Sequence, residues 1–229
     1  MTNSEVWTAV DRYLQGLFVP PDEALDAALK ASAEAGLPAI HISPNQGKLL
    51  WMLARMAQAR SVLEIGTLGG YSTIWLARAL PAEGSLITLE VDPKHAAVAR
   101  ANIERAGLAG RVEVRLGRAL DLLPQIAAEG RGPFDLIFLD ADKTANPEYF
   151  RWALKLTRRG SVILVDNVVR RAAVADAATS ADPAVRGTRR FLELAAAEPR
   201  VSAVAVQTVG VKGYDGFAIV LVTADPAGP

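Results

Sequence analysis

The chain has no cysteine and only two histidines, His41 and His95, which lie far apart in sequence. Disulfides, thiolate nucleophiles and Cys-ligated zinc are thereby excluded, and the two histidines offer no zinc-ligand spacing. Charge of one sign is missing too. The 25 Lys and Arg balance the 25 Asp and Glu to a formal net charge of zero, so no basic excess marks a nucleic-acid footprint. No apolar run is long enough to span a bilayer. The opening stretch MTNSEVWTAVDRYLQ has early acidic residues and no hydrophobic segment of the signal-peptide kind, so a cytoplasmic location is expected. With 51% hydrophobic and 22% charged residues, the 229-residue chain has the balance of an ordinary globular protein. Its length suits one α/β domain over residues 1–229, divided into a helical part (1–58) and an α/β core (59–229).

What is present changes character near residue 60. Before it, Val6, Val10, Leu14 and Leu17 recur at helical spacing, an apolar stripe consistent with core packing, and Pro20-Pro21-Asp22 breaks the run before a second helix near Glu23. Ser43-Pro44 suits the cap and first turn of a third helix, with Leu49, Leu50, Leu53 and Met56 on one stripe. After Ser61 strands and helices alternate. Strands are expected at 61–65, 85–90, 111–116, 134–139 and 161–165, and helices at 72–80, 93–106, briefly after 116, and near 185–197. Such alternation implies a mostly parallel, doubly wound sheet. Two last strands, 201–208 and 216–223, are joined by only Val209–Asp215, too short for a helical crossover, so an antiparallel edge hairpin is expected.

Chemistry-bearing residues gather where these strands end. In 62-VLEIGTLGGYS-72 the glycines let the backbone turn tightly and approach a ligand, but the spacing G-x-x-G-G breaks the dinucleotide fingerprint G-x-G-x-x-G. Glu64, just before that turn, would repel a pyrophosphate and attract an amine-bearing ligand. In a plain turn it would be buried without a partner, at a cost. Glu90 ends 86-LITLEVD-92, where a carboxylate is placed to accept hydrogen bonds from a ribose diol. Together these features suggest a nucleoside without a phosphate chain, which describes S-adenosylmethionine (SAM).

The run 134-FDLIFLDADK-143 stops at Asp140, and 161-SVILVDN-167 stops at Asp166 and Asn167. If these strands are neighbours, two carboxylates and an amide converge as hard oxygen ligands for Mg2+, Mn2+ or Ca2+. Otherwise Asp-Asn is a simple turn. Two buried strands that both end in carboxylates need a cation between them, and Lys143 supplies part of that charge. His95, inside a helix, is expected to be exposed.

Taken together, VLEIGTLGGYS, LITLEVD, FLDADK and VILVDNVV resemble the cation-dependent class I O-methyltransferases, the family of catechol and caffeoyl-coenzyme A O-methyltransferases. The resemblance runs in order from about Ser43 to the C-terminus. It implies a Rossmann-like α/β fold with a seven-stranded sheet ordered 3-2-1-4-5-7-6, helices on both faces and a helical N-terminal extension, usually in a homodimer formed through that extension. For SAM it implies contacts from Glu64, Gly66 and Thr67 to the methionine part and from Ser72 to its carboxylate. Glu90 would hold the ribose, Ala119 would lie near the adenine, and Ile42 and Asp142 would also touch the cofactor. Asp140, Asp166 and Asn167 match the metal ligands, and Asp140 also borders the cofactor. Lys143 matches the lysine proposed as general base, or else a cation that stabilises a phenolate. Ala141 and Asp142 stand where animal catechol enzymes have a histidine and a tryptophan, which places the chain nearer the bacterial and caffeoyl-coenzyme A branch.

The implied reaction is methyl transfer to a hydroxyl of a small vicinal dihydroxy aromatic, with Mg2+ as the expected cation and no membrane partner. A phenol is a poor nucleophile near neutral pH, its pKa being about 10 as for tyrosine, and chelation by a divalent cation corrects this. Arg170 and Arg171 replace a tryptophan common after DNV, so they point either to an acidic acceptor or simply to water. The hairpin 212-KGYDG-216 is expected near the acceptor, and loops 36–45, 170–182 and 209–216 are expected to set regiochemistry. Three other readings are a hydroxylated tRNA base as acceptor, which the lack of a basic run disfavours, a nucleotide-dependent oxidoreductase, which the broken fingerprint disfavours, and a SAM-binding protein without turnover, which would not need Asp140, Asp166, Asn167 and Lys143 together.

Overall fold

The structure is a computed structural model that describes residues 2–176 and 181–225. Part of the loop 170–182 therefore lies outside the described residues, as do the chain's extreme ends.

Three helices come first: α1 (Asn3–Phe18), α2 (Glu23–Glu34) and α3 (Pro44–Met56). Each begins on a side-chain oxygen that accepts a free N–H of the first turn, from Thr2, Asp22 and Ser43 respectively. The alternating part follows as β1 (Ser61–Ile65), α4 (Tyr71–Ala79), β2 (Ser85–Glu90), α5 (Pro93–Arg105), β3 (Val112–Leu116), α6 (Ala119–Ala128), β4 (Phe134–Leu139), α7 (Asn146–Lys155) and β5 (Thr157–Asp166). The chain closes with α8 (Pro183–Ala197), β6 (Val201–Gly210) and β7 (Gly213–Val222). The sheet has seven strands in the order β3-β2-β1-β4-β5-β7-β6. Strands β1 to β5 pair in parallel, and β7 is antiparallel to both β5 and β6. The sheet order and the antiparallel edge hairpin are those expected.

Period-two alternation sends the strand side chains to two cores. Leu63, Ile65, Ile137, Leu139, Ile163 and Val165 pack with Leu123 and Ile126 of α6, Phe150 of α7 and Phe191 of α8. On the other face Val62, Leu86, Leu136, Phe138 and Leu164 meet the helices α2 to α5. The central strands are covered on both sides, which is why their sequences are apolar without alternation.

Several details differ from the sequence reading. A helix, α7, links β4 to β5, as two parallel neighbours require. β5 begins at Thr157, four residues earlier than expected. The hairpin strands extend to Gly210 and from Gly213, leaving only Val211 and Lys212 between them, because Gly213 at φ +88 permits a tight return. The α1 stripe is not core: α1 contributes no buried residue, and Val6, Val10, Tyr13, Leu14, Leu17 and Phe18 are all exposed. Asp11 nonetheless fixes the helix in place, accepting the Val211 N–H at 2.9 Å while its carbonyl accepts from Asn45 at 3.0 Å. Among the described residues, no helix is long and apolar enough to cross a membrane.

Candidate active site

The site lies at the carboxyl ends of β1, β2, β4 and β5, the edge where open α/β sheets bind ligands. After β1 the backbone turns through Gly66 (φ +101) and Gly70 (φ +82) into α4. The Gly66 N–H donates to the Leu89 carbonyl, and the Asp140 N–H to the Ile65 carbonyl, so the turn is tied to both neighbouring strands.

Glu64 is fully buried below this turn, on the α4 face of the sheet. Register sets Thr88 of β2 beside it. Its carboxylate accepts from Thr88 at 2.7 Å, from Ser72 at 2.6 Å and from Thr73. A buried Glu64 therefore does not lack partners, contrary to expectation for a plain turn; hydroxyls scattered along the sequence converge on it. Burial outweighs their help and pushes the Glu64 carboxyl up to about 7.

Glu90 organises the turn from the β2 side. Its Oε2 accepts the N–H groups of Thr67 at 3.3 Å and Leu68 at 2.8 Å, and its Oε1 accepts those of Val91 and Asp92, both at 2.9 Å. His95 is not the exposed helix residue expected: its Nδ1 lies 3.7 Å from Glu90 Oε1 and its ring is mostly buried.

Two cavities meet here. The first, about 520 Å3, is walled by Gly66, Thr67, Ser72, Glu90, His95 and Ala119, with Asp140, Asp142 and Lys143 at one end. Of the residues assigned to the cofactor, Ile42 lines it as well, whereas Glu64 lies beneath its floor and touches it through Ser72. The second, about 580 Å3, is walled by Gln46, Asp166, Arg171, Lys212, Tyr214 and Asp215. Ile42, His41, Asn167 and Arg170 belong to both walls.

Asp140 and Asp166 each follow the last paired residues of β4 and β5, Leu139 and Val165, which are in register. The three oxygen-bearing residues thus stand at the partition, with Asp140 on the first cavity, Asp166 on the second and Asn167 on both. Lys143, buried in a 3-10 turn, donates to Asp140 Oδ1 at 2.7 Å. Asp142 caps that turn by accepting the Thr144 N–H. Burial, reinforced by the charge of Asp140, pushes the Asp166 carboxyl up to about 7; Lys143, the Asn167 N–H and the Gln46 side chain act the other way. Among the described residues no group of three or more His, Cys, Asp or Glu is poised for a metal. The set here is instead two carboxylates and an amide, hard donors that fit a divalent cation, and their crowded charge is what such a cation would relieve.

Some contributors lay outside the sequence reading. Gln46 of α3 reaches the Asp166 carboxyl with its side chain. Gly187 of α8 lies so close to the Lys143 carbonyl that any Cβ would overlap it. Asp215 Oδ1 accepts three main-chain N–H groups, from Val169, Arg170 and Gly216, each near 3 Å. Nothing local in sequence signals these contacts. Lys212 to Asp215, flagged as a hairpin near the acceptor, do wall the second cavity.

A sheet of this order, with a glycine turn after β1 and an acid at the end of β2, defines the Rossmann-like methyltransferase architecture. The chain belongs to the O-methyltransferase family, whose profile matches residues 19–221. It is 55% identical over 220 residues to a catechol O-methyltransferase of Niastella koreensis, covering 96% of this chain and 99% of that one. A catechol O-methyltransferase of Mycobacterium tuberculosis is 54% identical over 213 residues, covering 93% and 94%. Among solved structures, an O-methyltransferase from Bacillus cereus in complex with SAH superposes with a TM-score of 0.94 at 59% identity, covering 96% and 99%. TomG from Streptomyces achromogenes, in complex with SAM, gives 0.94 at 51% identity, covering 98% and 100%. The protein is a SAM-dependent O-methyltransferase.

Proposed function

We propose that the enzyme methylates one hydroxyl of a small catechol-type aromatic, with a divalent cation, Mg2+ foremost, held by Asp140, Asp166 and Asn167. The observation that carries this reading is the placing of those three residues on the partition between two cavities, with Lys143 at the same point. The relatives named catechol O-methyltransferase support it.

In this reading SAM occupies the first cavity. Gly66 and Thr67 approach it through the backbone, Ser72 through its hydroxyl, and Ile42, Ala119 and Asp142 complete the wall, while Glu64 orients Ser72 and Glu90 shapes the turn. The acceptor ring enters the second cavity. When bound, the cation lowers the pKa of a chelated phenol and fixes its orientation. Lys143 takes the proton of the reacting hydroxyl. That oxygen then attacks the methyl carbon in line, the methyl–sulfur bond breaks with its electron pair going to sulfur, and a thioether and a methyl ether leave.

We also infer self-association through α1. Its exposed apolar face and the exposed Val204 and Val206 of β6, the sheet's edge strand, form the kind of surface that a second copy covers.

The test is methyl transfer from labelled SAM to a panel of catechols and monophenols, with Mg2+ and with EDTA. Transfer restricted to vicinal diols, abolished by EDTA and by Asp140→Ala, is expected. Transfer to monophenols that persists in EDTA would overturn the metal-chelate reading.

A further inference from the structure

The second cavity is lined by cations that form no ion pair among the described residues. Among the described residues, neither Arg170 nor Lys212 has a carboxylate within ion-pair distance. The acids on the same wall are committed elsewhere. Asp215 receives its three main-chain N–H groups, Asp182 caps α8 by accepting the Ala184 N–H at 2.8 Å, and Asp166 faces Asp140, Lys143 and Gln46.

Arg170 is held in place rather than free to turn to water. Its backbone sits at φ +53, and its N–H is fixed to Asp215. A non-glycine residue in that region costs free energy and persists only where its surroundings impose it. Its side chain borders both cavities, and its Nε is buried with no hydrogen-bond acceptor. An unmet guanidinium N–H in a buried place is costly, so an acceptor supplied from the cavity would be strongly favoured. Lys212, at the hairpin tip and on the wall of the same cavity, spends one N–H on the Ala39 carbonyl at 3.0 Å, which leaves two donors for another partner. Partial burial lowers its pKa, and burial together with the charge of Lys212 lowers that of His41 on the same wall. The Lys212 shift reflects burial alone, and the His41 shift reflects burial first and the nearby Lys212 charge second.

We infer that the acceptor is an anionic catechol: a diol ring bearing a carboxylate that Arg170 and Lys212 receive on the wall of the second cavity. This rests on the catechol reading above and narrows it. A volume of about 580 Å3 accommodates one ring with a short acidic substituent. The site would discriminate by charge, since a neutral analogue leaves the Arg170 Nε unmet, whereas a carboxylate satisfies it with a charge-assisted bond.

The experiment compares protocatechuate, a catechol carboxylate, with its methyl ester, which keeps the ring and diol but removes the charge. Steady-state kcat/KM would be measured for each with saturating SAM and Mg2+. The wild type should prefer the acid by roughly tenfold or more, mainly through KM, and the preference should shrink as salt is raised. Arg170→Gln and Lys212→Met should each reduce the acid-to-ester ratio, and Lys212→Glu should shift selectivity toward a catechol with an aminoethyl chain. Lys212 lies on an exposed tip, so its variants test the inference even if Arg170→Gln fails to fold. Equal kcat/KM for acid and ester in the wild type, or a preference that survives both substitutions, would overturn it. Transfer to neither compound while SAM still binds would instead sink the catechol reading itself, and this inference with it.

Discussion

Gly66 lies against the main-chain carbonyl of Asp140 so closely that a Cβ at residue 66 would overlap that oxygen. The glycine turn and the end of β4 are therefore one packed unit, and the cofactor side of the site is built directly on the proposed metal side. Gly66 serves this contact as well as the close approach of a ligand.

Gly66→Ala meets both the overlap and an unfavourable φ of +101. The expected cost is about 2 kcal/mol or more of stability, together with loss of SAM binding. Urea denaturation and titration calorimetry would measure the two effects. A variant that binds SAM normally would show that the turn can relax without loss.

Gly187→Ala acts on the other partner of the site. The new methyl would press on the Lys143 carbonyl and move the 3-10 turn. A displacement of this kind costs on the order of 100-fold in rate when it shifts a reacting group. We expect kcat to fall steeply while the dissociation constant of SAM changes little, which single-turnover kinetics and calorimetry would separate.

Glu90→Gln tests the turn from the β2 side. The amide NH2 of glutamine would face main-chain N–H donors that now bond to the carboxylate. At least one donor is left unmet, at roughly 1–3 kcal/mol. SAM affinity should fall about 10- to 100-fold by calorimetry, with a lower unfolding midpoint.

Glu64 gives a pH prediction. Its carboxyl moves from an ordinary 4.5 to about 7 because it is buried, so the folded apoprotein holds a proton that the unfolded chain releases. Stability from this group is fully present below about pH 4.5 and is lost as pH rises through 7, by on the order of 3 kcal/mol in total. Glu64→Gln should remove that slope. Unfolding free energies of wild type and variant at pH 5 and pH 8 check it, and parallel curves would refute it.

The α1 face gives the last prediction. Leu14→Glu with Leu17→Glu places charge on an exposed apolar stripe, and sedimentation should show a shift from dimer to monomer with the fold intact. A wild type that is monomeric at micromolar concentration would remove the proposed interface.

Much of this architecture was legible in sequence because its signals are local. Leu136–Leu139 and Val162–Val165 are continuous apolar runs that stop at acids, and once the strands are neighbours Asp140 and Asp166 come together at one edge. The turn 66–70 declares itself by its glycines. Helix α7 is less legible although Tyr149, Phe150, Ala153 and Leu154 are spaced for one buried face, because the charged cluster before it masks its start. The fate of the α1 stripe could not be read, since periodicity gives an apolar face but not what covers it. Glu64 with Ser72, Thr73 and Thr88, Gln46 with Asp166, and Asp215 with Val169 and Arg170 depend on register and crossing geometry. No spacing rule encodes such contacts.

Asp215 has a consequence for altering what the enzyme accepts. By fastening the strand-end loop at Val169 and Arg170 to the hairpin, it makes two distant stretches of sequence a single transplantable piece. Exchanging the hairpin alone for one that lacks this aspartate would leave the Val169 and Arg170 amide groups without their anchor. Exchanging both together would carry a new acceptor chamber onto an unchanged cofactor half.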